Sequence, residues 1–315
     1  MRCSDNYLHF FLYIYSMEKF TGESILEFTD KFKTDLDCLE YLAEIKWKEG
    51  FKCVKCNHTK FTIRKKNFAR DCNACHHIES PIVDTIFHRV RFGLRKAFTI
   101  VFEMSATTKG LSTRQMAKRL KISRTTATNF IKKVRISMAS SASKPMIGQV
   151  FVDEFVFGGK EDLKQGRSND SKKKKLIVAV ETNDTGGIKR VYFDQLEDYS
   201  CQEIRKIFDK HISKSASIKT EKWTGYNPLK KEFNLNQIKS DKGNSSRELH
   251  TIIHQVKSWL RSTFSWVHKE HIQKYLDELS LRINRSIYKE NIFDLLINRM
   301  MNTQKVLYRD IIINK

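Results

Sequence analysis

Residues 150–160 read VFVDEFVFGGK, and the pair Asp153-Glu154 inside that apolar run decides how the rest of the chain is understood. Valine and phenylalanine favour extended backbone and Gly158-Gly159 closes the run, so the stretch predicts a β-strand. Two acids within such a strand cost stability unless a metal ion or a partner uses them. Side chains alternate along a strand: Val150, Val152 and Glu154 share one face, and Phe151, Asp153 and Phe155 share the other. The two carboxylates therefore cannot serve one site, and only one of them is a ligand. The plain alternative is a sheet-edge strand with both acids in water.

Outward from this strand, the pattern continues as strands and helices. KLIVAVET and KRVYFDQL read as the second and third strands, EIRKIFDKHI as a helix and ASIKTE as a fourth strand, with a further strand and long helices after them. A mixed-sheet α/β domain over residues 146–290 is expected. The loop between the first two strands is rich in Gly, Ser and charge. Its run Lys172, Lys173, Lys174 and Lys175 reads either as a solvated face or as a grip on a phosphate backbone.

The chain has 315 residues, 40% of them hydrophobic, enough for about two domains and a small extra module. Its 58 Lys and Arg against 36 Asp and Glu give a net charge of +22, spread along the sequence. Such an excess points to a polyanion partner, and nucleic acid is the expected one. A membrane surface fits less well, because no run of about 18 apolar residues and no basic amphipathic anchor is present. The opening MRCSDNYLHFFLYIYS lacks a small-residue cleavage pattern, so residues 1–16 read as a disordered lead or a start-codon overcall before Met17.

Residues 17–50 form a helical segment, with Ile25, Phe28, Phe32, Leu36, Leu39 and Leu42 at helical spacing as core-facing positions. Four of the seven cysteines, Cys53, Cys56, Cys72 and Cys75, follow as C-x2-C-x15-C-x2-C, the spacing of a zinc ribbon over residues 51–80. Two knuckles on short hairpins bring four thiolates around one tetrahedral, structural zinc. His58, His76 and His77 lie nearby, but a closed four-sulfur site leaves them as bystanders or DNA contacts. An odd cysteine count with four clustered suits an intracellular metal site better than a disulfide framework.

Residues 81–145 hold a helical stretch near Leu94–Met104 and then GLSTRQMAKRLKISRTTATNFIKKVRISM. Ser112 and Ser123 sit at N-cap positions of two short helices whose apolar faces carry Met116, Ala117 and Leu120, and Ala127, Phe130, Ile131 and Val134. This is a helix-turn-helix pattern, and its second helix offers Arg124, Thr125, Thr128, Asn129 and Lys132 for phosphates and base edges. An ordinary helical hairpin in a basic protein is the alternative. Residues 291–315 read as a C-terminal helical tail.

Phosphoryl transfer by two metal ions needs hard oxygen ligands drawn from separate segments. Asp153 on the first strand is one candidate, Glu221 at the end of the fourth, in IKTEKWTGYNPL, is the next, and the helix LHTIIHQVKSWLR should supply the third. Lys257 and Arg261 stand four apart on that helix as a cationic stripe toward phosphates. Trp223 and Tyr226 read as packing residues, while Tyr275, Leu276, Leu279 and Ile283 outline a core face.

These residues together resemble the DDE-type insertion-sequence transposases with an N-terminal zinc ribbon and a ribonuclease H-like catalytic domain, a group related to Merlin elements. The resemblance runs from about Phe28 to Ser286. It rests on the four-cysteine ribbon, TIFHRVRFGLRKAF, VFVDEFVFGGK, TEKWTGY, HTIIHQVKSWLR and HIQKYLDELSLRINRS. It implies an α+β multidomain chain: zinc ribbon, helix-turn-helix, then a ribonuclease H-like mixed-sheet α/β domain.

The resemblance also assigns roles. Asp153 is the first acidic ligand. The second position, Thr-Asp-x-Trp in the family pattern, is Thr220-Glu221-Lys222-Trp223 here, one methylene longer. The third varies between Glu and Asn with Lys two residues later, which matches Gln255 and Lys257, with Glu248 seven residues upstream as the alternative ligand. Asp153 and Glu221 would hold Mg²⁺ or Mn²⁺, and the expected reaction is hydrolysis at each element end followed by attack of the freed 3′-OH on target DNA. A homo-oligomer on DNA and a cytoplasmic, nucleoid-associated, bacterial-type location are further implications. The competing expectation is a catalytically impaired, transposase-derived, sequence-specific DNA-binding protein, and Glu221 favours it.

Overall fold

The structure is a computed structural model that describes residues 20–107, 109–159, 173–239, 246–264, 266–286 and 288–311. The lead before Met17 lies outside the described residues. The chain divides into two compact units, one from residues up to 107, 113–137 and 288–314, the other from 108–112 and 138–287.

The first unit begins with two short helices, α1 (Ile25–Lys31) and α2 (Asp35–Lys46). Ser24 caps α1 by accepting from the Glu27 N–H, and Thr34 with Asp37 forms a reciprocal capping box on α2, so each helix start satisfies its own orphan donors. The break between them corrects one sequence expectation. By spacing, all six positions from Ile25 to Leu42 are expected to face the core, but the helical phase resets at Phe32, leaving Phe28, Phe32 and Leu42 buried while Ile25 and Leu36 are 45% and 41% exposed.

The core of this unit is aromatic. Phe28 stacks on Phe102 at 4.5 Å, and Phe20 and Phe32 meet Phe293 and Phe98 edge to face at 5.3 and 5.1 Å. Phe98 and Phe102 lie on α3 (Leu94–Ala106), and Phe293 on α9 (Ile292–Asn302) near the C-terminus. The buried Tyr41 hydroxyl donates to Asp294, which ties α9 to α2. Between α2 and α3 lies a three-stranded antiparallel sheet of β1 (Phe61–Arg64), β2 (Ala69–Cys72) and β3 (Ile78–Glu79). Helices α4 (Thr113–Leu120) and α5 (Arg124–Met138) also belong to the unit.

The second unit is built on a five-stranded sheet in the order β6-β5-β4-β7-β8, with β4 (Gln149–Phe157), β5 (Lys174–Thr182), β6 (Ile188–Leu196), β7 (Ser217–Glu221) and β8 (Leu235–Ile238). The first three strands run antiparallel; β7 then pairs parallel with β4, and β8 parallel with β7. The parallel step requires a crossover, which α6 (Cys201–His211) supplies. On one face, Val150, Val152, Ile177, Ala179 and Ile218 pack with Ile204, Ile207 and Phe208 of α6. On the other, Phe151, Phe155, Val178 and Phe193 pack under α7 (Arg247–Thr263) and α8 (Lys269–Asn284). This strand order, with helices on both faces, is a ribonuclease H-like domain.

Strand β6 is a sheet edge, where unpaired backbone groups invite aggregation. Two amides from α8 take the place of a neighbouring strand. Asn284 accepts from the Val191 N–H at 2.7 Å and donates to its carbonyl at 3.0 Å, while Gln273 accepts from the Gln195 N–H at 2.8 Å and donates to the Phe193 carbonyl at 3.0 Å. The beginning of β4 is fixed from inside: fully buried Glu181 accepts from the Ile147 and Gly148 N–H groups and pairs with Arg190 at 2.6 Å. Burial opposes its ionisation, but these donors hold its carboxyl below the usual range.

Candidate metal centres and nucleic-acid interface

The ribbon presents the same loop twice. The Cys53 N–H donates to the His58 carbonyl and the Asn57 N–H to the Cys53 carbonyl; the Cys72 N–H donates to the His77 carbonyl and the His76 N–H to the Cys72 carbonyl, all at 2.9–3.0 Å. Each loop turns through a left-handed residue, Asn57 at φ 61° and His76 at φ 54°. The loops bring the four sulfurs within 4.8 Å of one another, with Cys53–Cys75 and Cys56–Cys72 at 3.5 Å. A tetrahedral ion with bonds of about 2.3 Å needs sulfurs about 3.8 Å apart, so the cluster fits a structural zinc. Burial opposes ionisation of Cys72, yet the Cys75 and Ala74 N–H groups and the neighbouring thiols bring it down to about 7, toward the thiolate a metal requires. Behind the cluster, the Arg70 guanidinium lies between the rings of Trp47 and Phe61, at 4.3 and 4.1 Å, and Lys46 pairs with Glu79 at 2.8 Å.

Helices α4 and α5 are joined by a turn in which Lys121 has φ 51° and the Ile122 N–H returns to the Ala117 carbonyl. Ser123 caps α5 by accepting from the Thr126 N–H at 3.0 Å. Met116, Ala117, Ala127, Phe130, Ile131 and Val134 are buried. Arg124, Thr125, Thr128, Asn129 and Lys132 share the opposite arc of α5, exposed or half-buried. The Thr128 hydroxyl donates to the Arg124 carbonyl at 2.8 Å, which leaves its lone pairs for a donor.

The lysines at the start of β5 do not share one environment. Lys172 lies outside the described residues. Lys173 and Lys174 are half-buried, with the Lys174 ammonium 5.2 Å from the Trp266 ring. Lys175 turns inward instead: it donates to the Glu197 carbonyl at 3.2 Å and lies 5.4 Å from the Tyr199 ring. For Lys175 this corrects both expectations for the run, a solvated face or a grip on a phosphate backbone, because its side chain is buried against Glu197 and Tyr199.

Asp153 and Glu221 come together through strand pairing. Val152 stands opposite Thr220 in the parallel ladder of β4 and β7, so the next residue on each strand is an acid on the same face. Lys219, two residues before Glu221, lies 5.5 Å from the Phe151 ring and marks that face. Glu154 points to the α6 side, as alternation requires. Beyond Glu221 the chain is held tightly: the Trp223 carbonyl accepts from Gln237 at 2.6 Å, and the Trp223 ring covers Gly225 so closely that an added Cβ would meet it at 2.2 Å. Trp223 and the buried Tyr226 are packing residues of the α6 face.

Helix α7 brings Lys257 over this face, its ammonium 5.5 Å from the Phe155 ring. Burial and then Arg261 pull Lys257 below the usual lysine range, while the Asp153 charge acts the other way, which places Asp153 within its electrostatic reach. His250, His254, Lys257 and Arg261 follow one another at intervals of four, three and four residues and so form one stripe. Gln255 is exposed and stands about 200° around the helix from Lys257, with Glu248 on its own side. The structure thus groups Asp153, Glu221, Lys257 and Arg261, and sets Gln255 and Glu248 apart. The two histidines did not figure in the sequence reading; their spacing from Lys257 was the available signal.

Comparison with known families agrees with this architecture. Residues 145–284 match the model of the ISXO2-like transposase domain, and residues 33–78 match that of the transposase zinc-ribbon domain. The class is therefore that of ribonuclease H-like proteins bearing a zinc ribbon and acting on DNA. Within it, the chain belongs to the DDE-type insertion-sequence transposases. No curated protein matches it. Structural Zn²⁺ in the ribbon and a divalent catalytic metal follow from the two domains together with the cysteine cluster. Among the described residues, no helix is long and apolar enough to cross a membrane.

Proposed function

We propose that this chain is a working transposase that cuts the ends of its element and joins them to target DNA, with Asp153 and Glu221 as ligands of the catalytic metal pair. The observation that supports it is the parallel register of β4 and β7, which sets both carboxylates on one face at the same level, with Lys257 above. When bound, the divalent ions neutralise charge on the phosphate and activate first water and then the 3′-OH. The chain's own part is positional. Strand pairing fixes the acids, Gln237 and Gly225 hold the segment after Glu221, and Lys257 with Arg261 binds the phosphate. The helix-turn-helix arc of Arg124, Thr125, Thr128, Asn129 and Lys132 grips element DNA, Lys173 and Lys174 add backbone contacts, and two copies act together because two ends must be joined.

The third ligand expected at Gln255 draws no support from that residue's place on α7. A second reading, a transposase-derived DNA-binding protein with impaired catalysis, is favoured by Glu221, since a displacement of about 1 Å in a reacting group costs about 10²-fold in rate. Mg²⁺- or Mn²⁺-dependent strand transfer of a labelled element-end duplex separates them. Joining by the wild type and none by Asp153→Ala is the expected result. Activity confined to Glu221→Asp would leave the site in place in an impaired enzyme, and specific DNA binding without any joining would establish the second reading.

A further inference from the structure

We infer that His250, through its Nε2, is the third protein ligand of the divalent metal held by Asp153 and Glu221; this rests on the reading of those two acids as metal ligands. Three observations carry it. First, α7 runs along the sheet in the same sense as β4. Lys257 stands over Phe155, and Trp266, beyond the helix end, stands over Lys174, the residue paired with Phe157. Moving back along α7 from Lys257 therefore approaches the level of Asp153, which lies about 7 Å back along β4. His254 is about 4.5 Å and His250 about 10 Å back along the helix, so the two histidines bracket that level.

Second, both histidines share the Lys257 stripe, whereas Gln255 lies on the other flank of the helix. A side chain there cannot reach a metal on the Lys257 flank of the helix without α7 rotating and withdrawing Leu249, Val256 and Leu260 from the core. Third, the His250 Nε2 is shielded from solvent and has no hydrogen-bond partner among the described residues. A buried ring nitrogen without a partner is costly, and coordination satisfies it. His254 is exposed and shows no such deficit.

The chemistry has a consequence for metal choice. Two carboxylates and one imidazole make a more nitrogen-rich site than three oxygen ligands, which shifts preference from Mg²⁺ toward Mn²⁺. The test is electron paramagnetic resonance of Mn²⁺ added to the zinc-loaded full-length protein, read as binding and as ¹⁴N coupling from a coordinated imidazole. The wild type should show that coupling. His250→Ala should lose it and bind Mn²⁺ at least 10-fold more weakly, while Gln255→Ala and His254→Ala should change neither.

Absence of ¹⁴N coupling in the wild type, which needs no variant to fold, overturns the inference. So does its loss in His254→Ala, or a binding defect in Gln255→Ala but not in His250→Ala. Asp153→Ala separates this from the underlying reading: if it leaves Mn²⁺ binding intact, the acids are not the ligands and the proposed site itself fails. If it abolishes binding while His250→Ala does not, only the third ligand has been misassigned.

Discussion

The ribbon and the catalytic sheet each gather metal ligands, but by opposite routes. In the ribbon, four soft thiolates lie in one short segment and two copies of a single hydrogen-bonded turn place them. In the sheet, two hard carboxylates distant in sequence become neighbours only because β7 pairs in parallel with β4 after a helical crossover. The first site is built by local backbone geometry and closed by its metal. The second is built by the whole domain, whose apolar core lies on both faces of the sheet and away from the two acids. Metal should therefore be a folding requirement in one region and a catalytic requirement in the other.

Removing zinc is the strongest way to break that contrast. Structural zinc contributes about 10–16 kcal/mol in zinc-finger peptides, and by the same chemistry Cys72→Ser or chelation should unfold the ribbon. Limited proteolysis should then cut within residues 51–80 while residues 146–290 stay resistant. Simultaneous loss of both regions would show that the sheet depends on the ribbon. The reverse experiment, Asp153→Ala, should lower strand transfer on the order of 10³-fold, the rate equivalent of several kcal/mol of charge stabilisation. Zinc content and thermal midpoint should not change, and a fall in either would mean that Asp153 also serves the fold.

A smaller effect tests the sheet alone. Asn284 satisfies both backbone groups of Val191 on the edge strand, so Asn284→Ala should cost about 1–3 kcal/mol in denaturant unfolding of the second unit. Gln273→Ala should act in the same direction, because it too closes β6. An unchanged midpoint in both would mean that water replaces the amides without cost.

The contrast also explains what the sequence made legible. Cysteine spacing carries its geometry within itself, and the alternation in VFVDEFVF forecast which face Asp153 takes and that Glu154 takes the other. The five strands and the helix after the third were readable from period and composition. The edge-closing amides were not, because nothing in an isolated Asn284 or Gln273 reveals that β6 is an edge. The docking of Phe293 and Asp294 from the C-terminal helix against N-terminal helices was equally hidden, since such long-range contacts leave no periodic trace. On α7, the motif points to Gln255, two residues from Lys257, whereas helical geometry sets His250, seven residues away, on the same stripe as Lys257.

The finest distinction concerns lysines of the same net charge. Lys132 stands on the outer arc of α5, in the proposed DNA-facing set, whereas the Lys175 ammonium is spent on a backbone carbonyl and a tyrosine ring inside the sheet domain. Each phosphate contact releases condensed counterions and adds about 0.9 to the slope of log affinity against log salt. Lys132→Ala should therefore lower that slope by about one contact across unrelated sequences, as a phosphate-contacting residue does. Lys175→Met removes an equal charge but should leave the slope unchanged and instead reduce stability, because the Glu197 carbonyl loses its donor. Equal slope changes for both variants would mean that overall charge, and not the arc presented by α5, governs DNA binding.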